Sequence, residues 1–194
     1  MKCFARNDVG IVQVARVSAP YLVFTMRVDL YRLVHKAQRF HLFQLGSRLS
    51  HADWSDELQR RQFAKDIRHI VEVLREHAAN EARYIHPLFA AESLDAAHHQ
   101  LDAQLTELEA VVTSERWSEL YSAFMRFLGE YLLHIDAEER AQTEHLWPRY
   151  SDAELMTVMQ RFRAERPPEK TAADARFMIP ALNAAELTGF LQMR

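Results

Sequence analysis

From Phe63 to Leu88, the residues Phe63, Ile67, Ile70, Leu74, His77, Glu81, Tyr84 and Leu88 recur at steps of three and four. That spacing is one unbroken helical face, and it is apolar except for an imidazole and a carboxylate embedded in it. A second stretch repeats the device: Leu120, Phe124, Phe127, Tyr131, His134, Glu138 and Ala141 share one stripe, again with His and Glu four residues apart. An ionised carboxylate is rarely buried unless it is paired or bound to metal, because desolvating it without compensation costs several kcal/mol. A fold that buries these two stripes must therefore place something beside Glu81 and Glu138 to neutralise them.

Two further helical patterns complete the set. One runs from about Arg27 to Leu49, weakened near its end by Gly46 and Ser47; the other runs from Ser93, an expected N-cap, to Val112, with Leu94, His98, Leu101, Leu105, Leu108 and Val112 in phase. The Phe63 stripe belongs to a helix starting near Ser55 and ending or kinking at Pro87. The Leu120 stripe belongs to one spanning about Arg116 to His145. Short connections favour antiparallel neighbours, so the expected fold class is all-α: an up-down-up-down four-helix bundle with additional short C-terminal helices. The C-terminal pieces, from about residue 150 to 194, read as a cap. Ser151 to Glu154 matches a capping box opening a helix to about Arg166, Pro167-Pro168 breaks the chain, a short helix covers 171–178, and Asn183 to Glu186 resembles a second box. Residues 1–26 lack helical periodicity and carry Ile11, Val12, Val14 and Val17 before Pro20, which predicts an extended N-terminal arm.

The 194 residues suit one domain able to bury a core without disulfides or an obligatory metal, and only four Gly and six Pro favour helices over strands. A formal charge of −3 with no block of five like charges argues against a nucleic-acid arm. The longest apolar stretch, Gly10 to Met26, is interrupted by Gln13, Arg16, Ser18 and Pro20 and is too short for a bilayer, so neither membrane nor nucleic acid is an expected partner. The single Cys3 excludes an internal disulfide, and a cytoplasmic address is expected.

One His-x-x-x-Glu pair alone is explained by a partly wet helix end where imidazole and carboxylate bond each other. Two such pairs in phase with core stripes, joined by His98 in phase on the third helix, point instead to metal held by inward side chains of facing helices. The first helix must then contribute, and two histidines compete. His35 shares a stripe with Tyr31, Leu42, Leu45 and Leu49; His41 shares one with Leu30, Val34, Ala37 and Leu45. Periodicity does not choose between them.

The segments Val34-His35-Lys36-Ala37-Gln38-Arg39, His77 to Leu88 and His134 to Glu139 resemble, in order and spacing, the hemerythrin-like (HHE cation-binding) domain family. Leu146 to Leu155 and Ile179 to Asn183 extend the similarity to its bacterial members, over roughly residues 27 to 194. The resemblance implies a non-haem di-iron centre, two iron ions joined by an oxo or hydroxo group, with ligands His35, His77, Glu81, His98, His134 and Glu138. The two glutamates would bridge. Imidazole suits iron, and anionic carboxylates both bridge and neutralise close cations, whereas ferritin-like proteins use Glu-x-x-His instead.

The chain departs from the family at two positions. Oxygen-carrying hemerythrins have a second His four residues after that of the third helix; here that position is Asp102, which can serve as a harder oxygen ligand, leave an open position or face solvent. A carboxylate there would favour oxidised ions and a redox, storage or sensing role over reversible oxygen carriage. Gln38 stands where an apolar residue is usual. His99 is an alternative to His98 and Glu139 to Glu138; His86 reads as a structural cap with a ligand role left open. Tyr31, Tyr84 and Tyr131 lie near the level of the pairs, more often core residues with satisfied hydroxyls than ligand contacts. His51, His69 and His145 read as surface or cap residues, and Met156, Met159, Met178 and Met193 as gap-filling core.

The function expected from these residues and this resemblance is binding or sensing of oxygen or a related small molecule, such as nitric oxide or peroxide, or storage of iron. No catalytic residue is assigned. The rivals are an enzyme, an oxidoreductase or hydrolase using zinc or manganese on the same ligands, and a metal-free helical module that dimerises through Phe- and Met-rich surfaces.

Overall fold

A computed structural model of the protein describes residues 27–192. The expected N-terminal arm at 1–26, Cys3 within it, and Met193 lie outside the described residues. All regular structure among the described residues is helical: α1 (Arg32–Leu49), α2 (Glu57–Tyr84), α3 (Glu92–Thr113), α4 (Trp117–Ala141), α5 (Asp152–Glu165), α6 (Pro168–Met178) and α7 (Ala184–Gln192) pack together. None of these helices is long and apolar enough to cross a membrane.

Each helix starts and stops for local reasons. Asp56 caps α2 by accepting from the amides of Leu58 and Gln59. Ser151 and Glu154 form the expected capping box on α5, and Asn183 and Glu186 exchange the reciprocal bonds of a second box on α7. Other boundaries differ from those read in the sequence. The first helix begins at Arg32 rather than near Arg27, because Asp29 accepts from the amides of Tyr31 and Arg32, while Arg27 bonds Asp152 and the carbonyls of Trp147 and Tyr150 and so holds the chain against α5. Ser93 does not cap α3: the helix starts on the carbonyl of Ala91, with Glu92 and Asp95 in the first turn to complement the dipole. The fourth helix does not run regularly to His145. It widens into a π-turn at Gln142–Leu146, where the buried Gln142 side chain accepts from Leu30 N and donates to Asp29. α6 begins at Pro168 rather than at residue 171, since proline suits the first helical position, where no donor is needed.

The core fills one half of the helical assembly. Leu42, Leu45 and Leu49 from the C-terminal half of α1 meet Phe63, Ile67, Ile70 and Leu74 of α2, Leu101, Leu105 and Leu108 of α3, and Leu120, Phe124 and Phe127 of α4. Apolar residues thus come from the C-terminal halves of α1 and α3 and the N-terminal halves of α2 and α4. The opposite halves converge at the other end and carry the polar residues of the stripes. At Gly46 α1 packs tightly on α4, where an added Cβ would stand 3.3 Å from the Phe124 ring. α6 and the turn after it lie on α1, where His41 stacks on Phe177 and bonds its carbonyl oxygen at 2.7 Å.

Because Phe124 is fully buried against α1 and its own neighbour Phe127, Phe124→Ala is expected to cost about 3–5 kcal/mol, read as a lower urea midpoint with an unchanged slope in far-ultraviolet circular dichroism.

Candidate metal centre

Four helices deliver six polar groups to the end opposite the core, one each from α1 and α3 and two each from α2 and α4. His35 lies one turn into α1; His77 and Glu81 lie in the last two turns of α2; His98 lies near the start of α3; His134 and Glu138 lie near the end of α4. Glu138 is fully buried and Glu81 is 2% exposed, so the two carboxylates that the stripes predict to be interior are interior. What surrounds them is imidazole.

The contacts fall into two sets. On the α1–α2 side, His35 Nε2 lies 3.2 Å from His77 Nε2, 3.6 Å from Glu81 Oε1 and 3.3 Å from Glu138 Oε2, and His77 Nε2 lies 2.9 Å from Glu81 Oε1. On the α3–α4 side, His98 Nε2 lies 3.4 Å from Glu81 Oε2 and 3.1 Å from Glu138 Oε1, and His134 Nε2 lies 2.8 Å from Glu138 Oε1. Each carboxylate therefore turns one oxygen toward each pair of histidines. Both oxygens of Glu81, and Oε2 of Glu138, are buried with no hydrogen-bond partner among the described residues, although imidazole nitrogens stand close. Buried acceptors are normally satisfied, and carboxylate oxygens and ring nitrogens that converge in this way are an arrangement that can hold a cation.

The donor atoms of His35, His77, Glu81 and Glu138 all lie within 4.8 Å of one another, and so do those of Glu81, His86, His98 and Glu138. Ligands about 2.0–2.2 Å from a common ion are at most about 4.4 Å apart, so small side-chain shifts bring each group onto an ion. The buried His/Glu groups can thus hold a metal ion, and the mixture of imidazole and carboxylate suits iron, manganese or zinc.

A supporting layer orients the ligands. The His35 ring is fixed by Glu139, whose Oε1 lies 3.1 Å from Nδ1, and Glu139 is clamped in turn by both terminal nitrogens of Arg39 at 2.7 and 3.1 Å. A carboxylate on Nδ1 leaves Nε2 with its lone pair toward the cluster, the usual arrangement behind a metal-ligating imidazole. Tyr31 stacks on His35 with ring centres 4.9 Å apart, and the hydroxyls of Tyr31 and Tyr131 and the side-chain amide of Gln38 are buried without partners among the described residues. Burial, together with the charges of Glu81 and Glu138, pushes the Tyr31 phenol well above its ordinary range; the same causes act on Tyr131.

Other candidates go elsewhere. His41 bonds Phe177 and stays outside the cluster; His99 is exposed beside the half-buried ring of His98; Glu139 acts on the far side of His35 rather than among the donor atoms. Asp102 does not reach the cluster: it is 57% exposed and paired with Arg75 at 2.6 Å, in a network with Glu109 and Thr106. Tyr84 turns away to bond Glu165 and pack on Phe162. Periodicity missed His86. It lies in the turn after α2, off the stripe, and its proximity to Glu81 exists only because that turn folds back. The support of His35 by Glu139 and Arg39 was also missed, although Arg39 lies four residues after His35 on the same helical face.

No family model, curated protein or solved structure matches this chain.

A cleft of about 520 Å³ between α2 and α3 leads to the cluster and is walled by His77, His98, His134 and Tyr131, with Arg75 and Asp102 at its rim. It gives a solute access to the imidazoles without unpacking the core.

Electrostatics show what holds the metal-free cluster together. Burial presses the His35 imidazolium down, but the close carboxylates of Glu138, Glu139 and Glu81 outweigh it and hold the group up at about 10; His98, pressed down by burial and raised by Glu138 and Glu81, stands at about 9. Burial raises Glu81, but the charge of His77 and the contacts of His35 bring it down to about 2, and hydrogen bonds from the histidines outweigh burial to hold Glu138 well below its ordinary range. Two protons on imidazoles thus stand in for cationic charge beside two carboxylates, and a metal ion must displace them. Metal binding at pH 7 is expected to release protons and to tighten as pH rises from 7 to 9, measured by calorimetry in buffers of different ionisation enthalpy. For the metal-free protein the histidine contribution to stability is complete below 6.5, their ordinary value, and is lost as pH rises through about 9 to 10. The carboxylate contribution is complete above 4.5 and is lost as pH falls toward 2. Urea midpoints in chelator are expected to peak between those limits.

Proposed function

We propose that the protein is hemerythrin-like: α1 to α4 form an up-down-up-down four-helix bundle that holds two iron ions, and α5 to α7 cap it. The observation that carries this reading is the division of each buried carboxylate between two sets of imidazoles, with Glu81 Oε1 and Glu138 Oε2 beside His35, and Glu81 Oε2 and Glu138 Oε1 beside His98. One cation placed among the histidines of either side meets only the carboxylate oxygens turned to that side. Two cations account for all four oxygens and make both glutamates bridges.

The ions would be held by His35 and His77 on one side, His98 and His134 on the other, and Glu81 and Glu138 between them. Bound iron would supply a redox-active pair with a coordination position open to a small ligand. The residues around it do the rest. Glu139 and Arg39 hold His35 in its ligating orientation, and the phenols of Tyr31 and Tyr131, kept neutral by burial beside the carboxylates, remain hydrogen-bond donors to a guest. The cleft along His77 and His98 admits a molecule the size of oxygen, nitric oxide or peroxide, and binding or sensing such a molecule is the function we assign. The pairing of Asp102 with Arg75 supports a centre in which Asp102 is not a ligand.

Elemental analysis of freshly expressed protein with its absorption spectrum tests the proposal. About two iron ions per chain and a near-ultraviolet ferric band are expected; a colourless protein carrying zinc, or one retaining no iron, zinc or manganese after reconstitution, would refute it. His77→Ala is expected to remove at least one ion and Glu138→Ala, which strips a bridge, at least one and as many as both. His69→Ala, on the exposed face of α2, is expected to leave the stoichiometry unchanged. Full metal content in the first two variants would overturn the ligand assignment.

A further inference from the structure

His86 is the one buried histidine whose position owes nothing to a helical stripe. It follows Ile85, after the regular bonds of α2 have ended at Tyr84, and precedes Pro87, which keeps the chain from resuming the helix. Five residues beyond Glu81 on a continuing helix, its side chain would point well away from that carboxylate. The tight turn at His86–Leu88 returns it instead, only 5% exposed, with its ring stacked on His98 at 5.1 Å and 16° between planes.

Its two nitrogens are treated differently. Nδ1 lies 2.7 Å from Asp95 Oδ1 on the first turn of α3. Nε2 is buried and has no hydrogen-bond partner among the described residues. With a ring nitrogen of His86 within 4.8 Å of donor atoms of Glu81, His98 and Glu138, and Nδ1 committed to Asp95, the nitrogen facing the cluster is Nε2. A carboxylate that takes the Nδ1 proton fixes the tautomer whose Nε2 lone pair is free, which is the arrangement Glu139 gives His35 on the opposite side.

We infer that His86 is a ligand of the ion on the α3–α4 side, held in its ligating tautomer by Asp95. This rests on the two-ion reading of the cluster and refines it. The α3–α4 ion receives His86, His98 and His134, three imidazoles against the two of its neighbour, and Asp102 is not needed to complete it. The ion beside His35 and His77 keeps more open positions, and the cleft reaches it along His77.

The test uses the full chain loaded with Co(II), whose visible spectrum reports its ligands, and with diamagnetic Zn(II). His86→Asn retains an amide donor in the place of Nδ1, so the bond to Asp95 and the end of α2 are kept while Nε2 is removed. One of the Co(II) ions taken up by the wild-type protein is expected to bind about 10- to 100-fold more weakly in this variant, with altered visible bands and a metal-free melting curve matching wild type. Asp95→Asn is expected to weaken the same ion to a smaller extent. In zinc-loaded wild-type protein, the ¹⁵N resonance of His86 Nε2 is expected to move to the position of a metal-bound nitrogen, a readout that holds even if the variant fails to fold. Equal Co(II) affinity and an unchanged spectrum in His86→Asn, or an Nε2 resonance unmoved by Zn(II), would overturn the role of His86 and leave the two-ion centre standing. Wild-type protein that takes up neither metal would overturn both.

Discussion

Two carboxylates buried between four imidazoles set the terms for everything at one end of this molecule. Glu81 and Glu138 come from different helices, and neither can enter a dry interior with its charge unless opposite charge is brought to it. His35 from α1 and His98 from α3 each contact both of them, so every helix of the first four is tied to the others through this cluster. The same contacts that neutralise the carboxylates leave three of their four oxygens facing ring nitrogens without hydrogen bonds, only Glu138 Oε1 being bonded, to His98. Proton-borne charge is thus an incomplete solution that a metal ion can complete.

The apolar half makes such an arrangement tolerable. Leu42, Ile67, Leu108, Leu120 and Phe124 are buried at the far end, and their packing sets the spacing of the helices that carry the polar groups. Gly46 lets α1 approach α4 closely at Phe124, and His35 lies three turns further along the same helix. Beyond the cluster, Gln142 in the wide turn after α4 bonds the chain at Leu30 and Asp29, just ahead of Tyr31 and His35. α1 is therefore anchored on both sides of His35, by side-chain packing below and by a buried amide above. Glu139 and Arg39 then fix the ring itself.

Much of this was legible from residue order. The stripes of α2 and α4 named the buried carboxylates, since a helical face that is otherwise apolar or aromatic takes its His and Glu inside with it. The boxes at Ser151–Glu154 and Asn183–Glu186 located two helix starts because their bonds are local. Boundaries failed where distant chain segments intervened. Asp152 and the carbonyls of Trp147 and Tyr150 hold Arg27 out of a helix. Spacing could not choose between His35 and His41, which share a helix and differ only in which neighbour each meets: two carboxylates for one, the carbonyl of Phe177 for the other.

By itself the sequence determined that the chain is helical, that the faces bearing His77–Glu81 and His134–Glu138 turn inward, and that His98 lies in phase with a third such face. These follow from period and composition, which act within one helix. Only the tertiary structure decided that the carboxylates each split their oxygens between two histidine sets, that Asp102 is taken by Arg75, that Glu139 backs His35, and that His86 returns from a turn to stack on His98. The physical reason is common to all four. Periodicity says which face a side chain occupies, whereas the partner it meets depends on how far the neighbouring helix has slid, rotated and ended, and that is set by packing between elements remote in the chain.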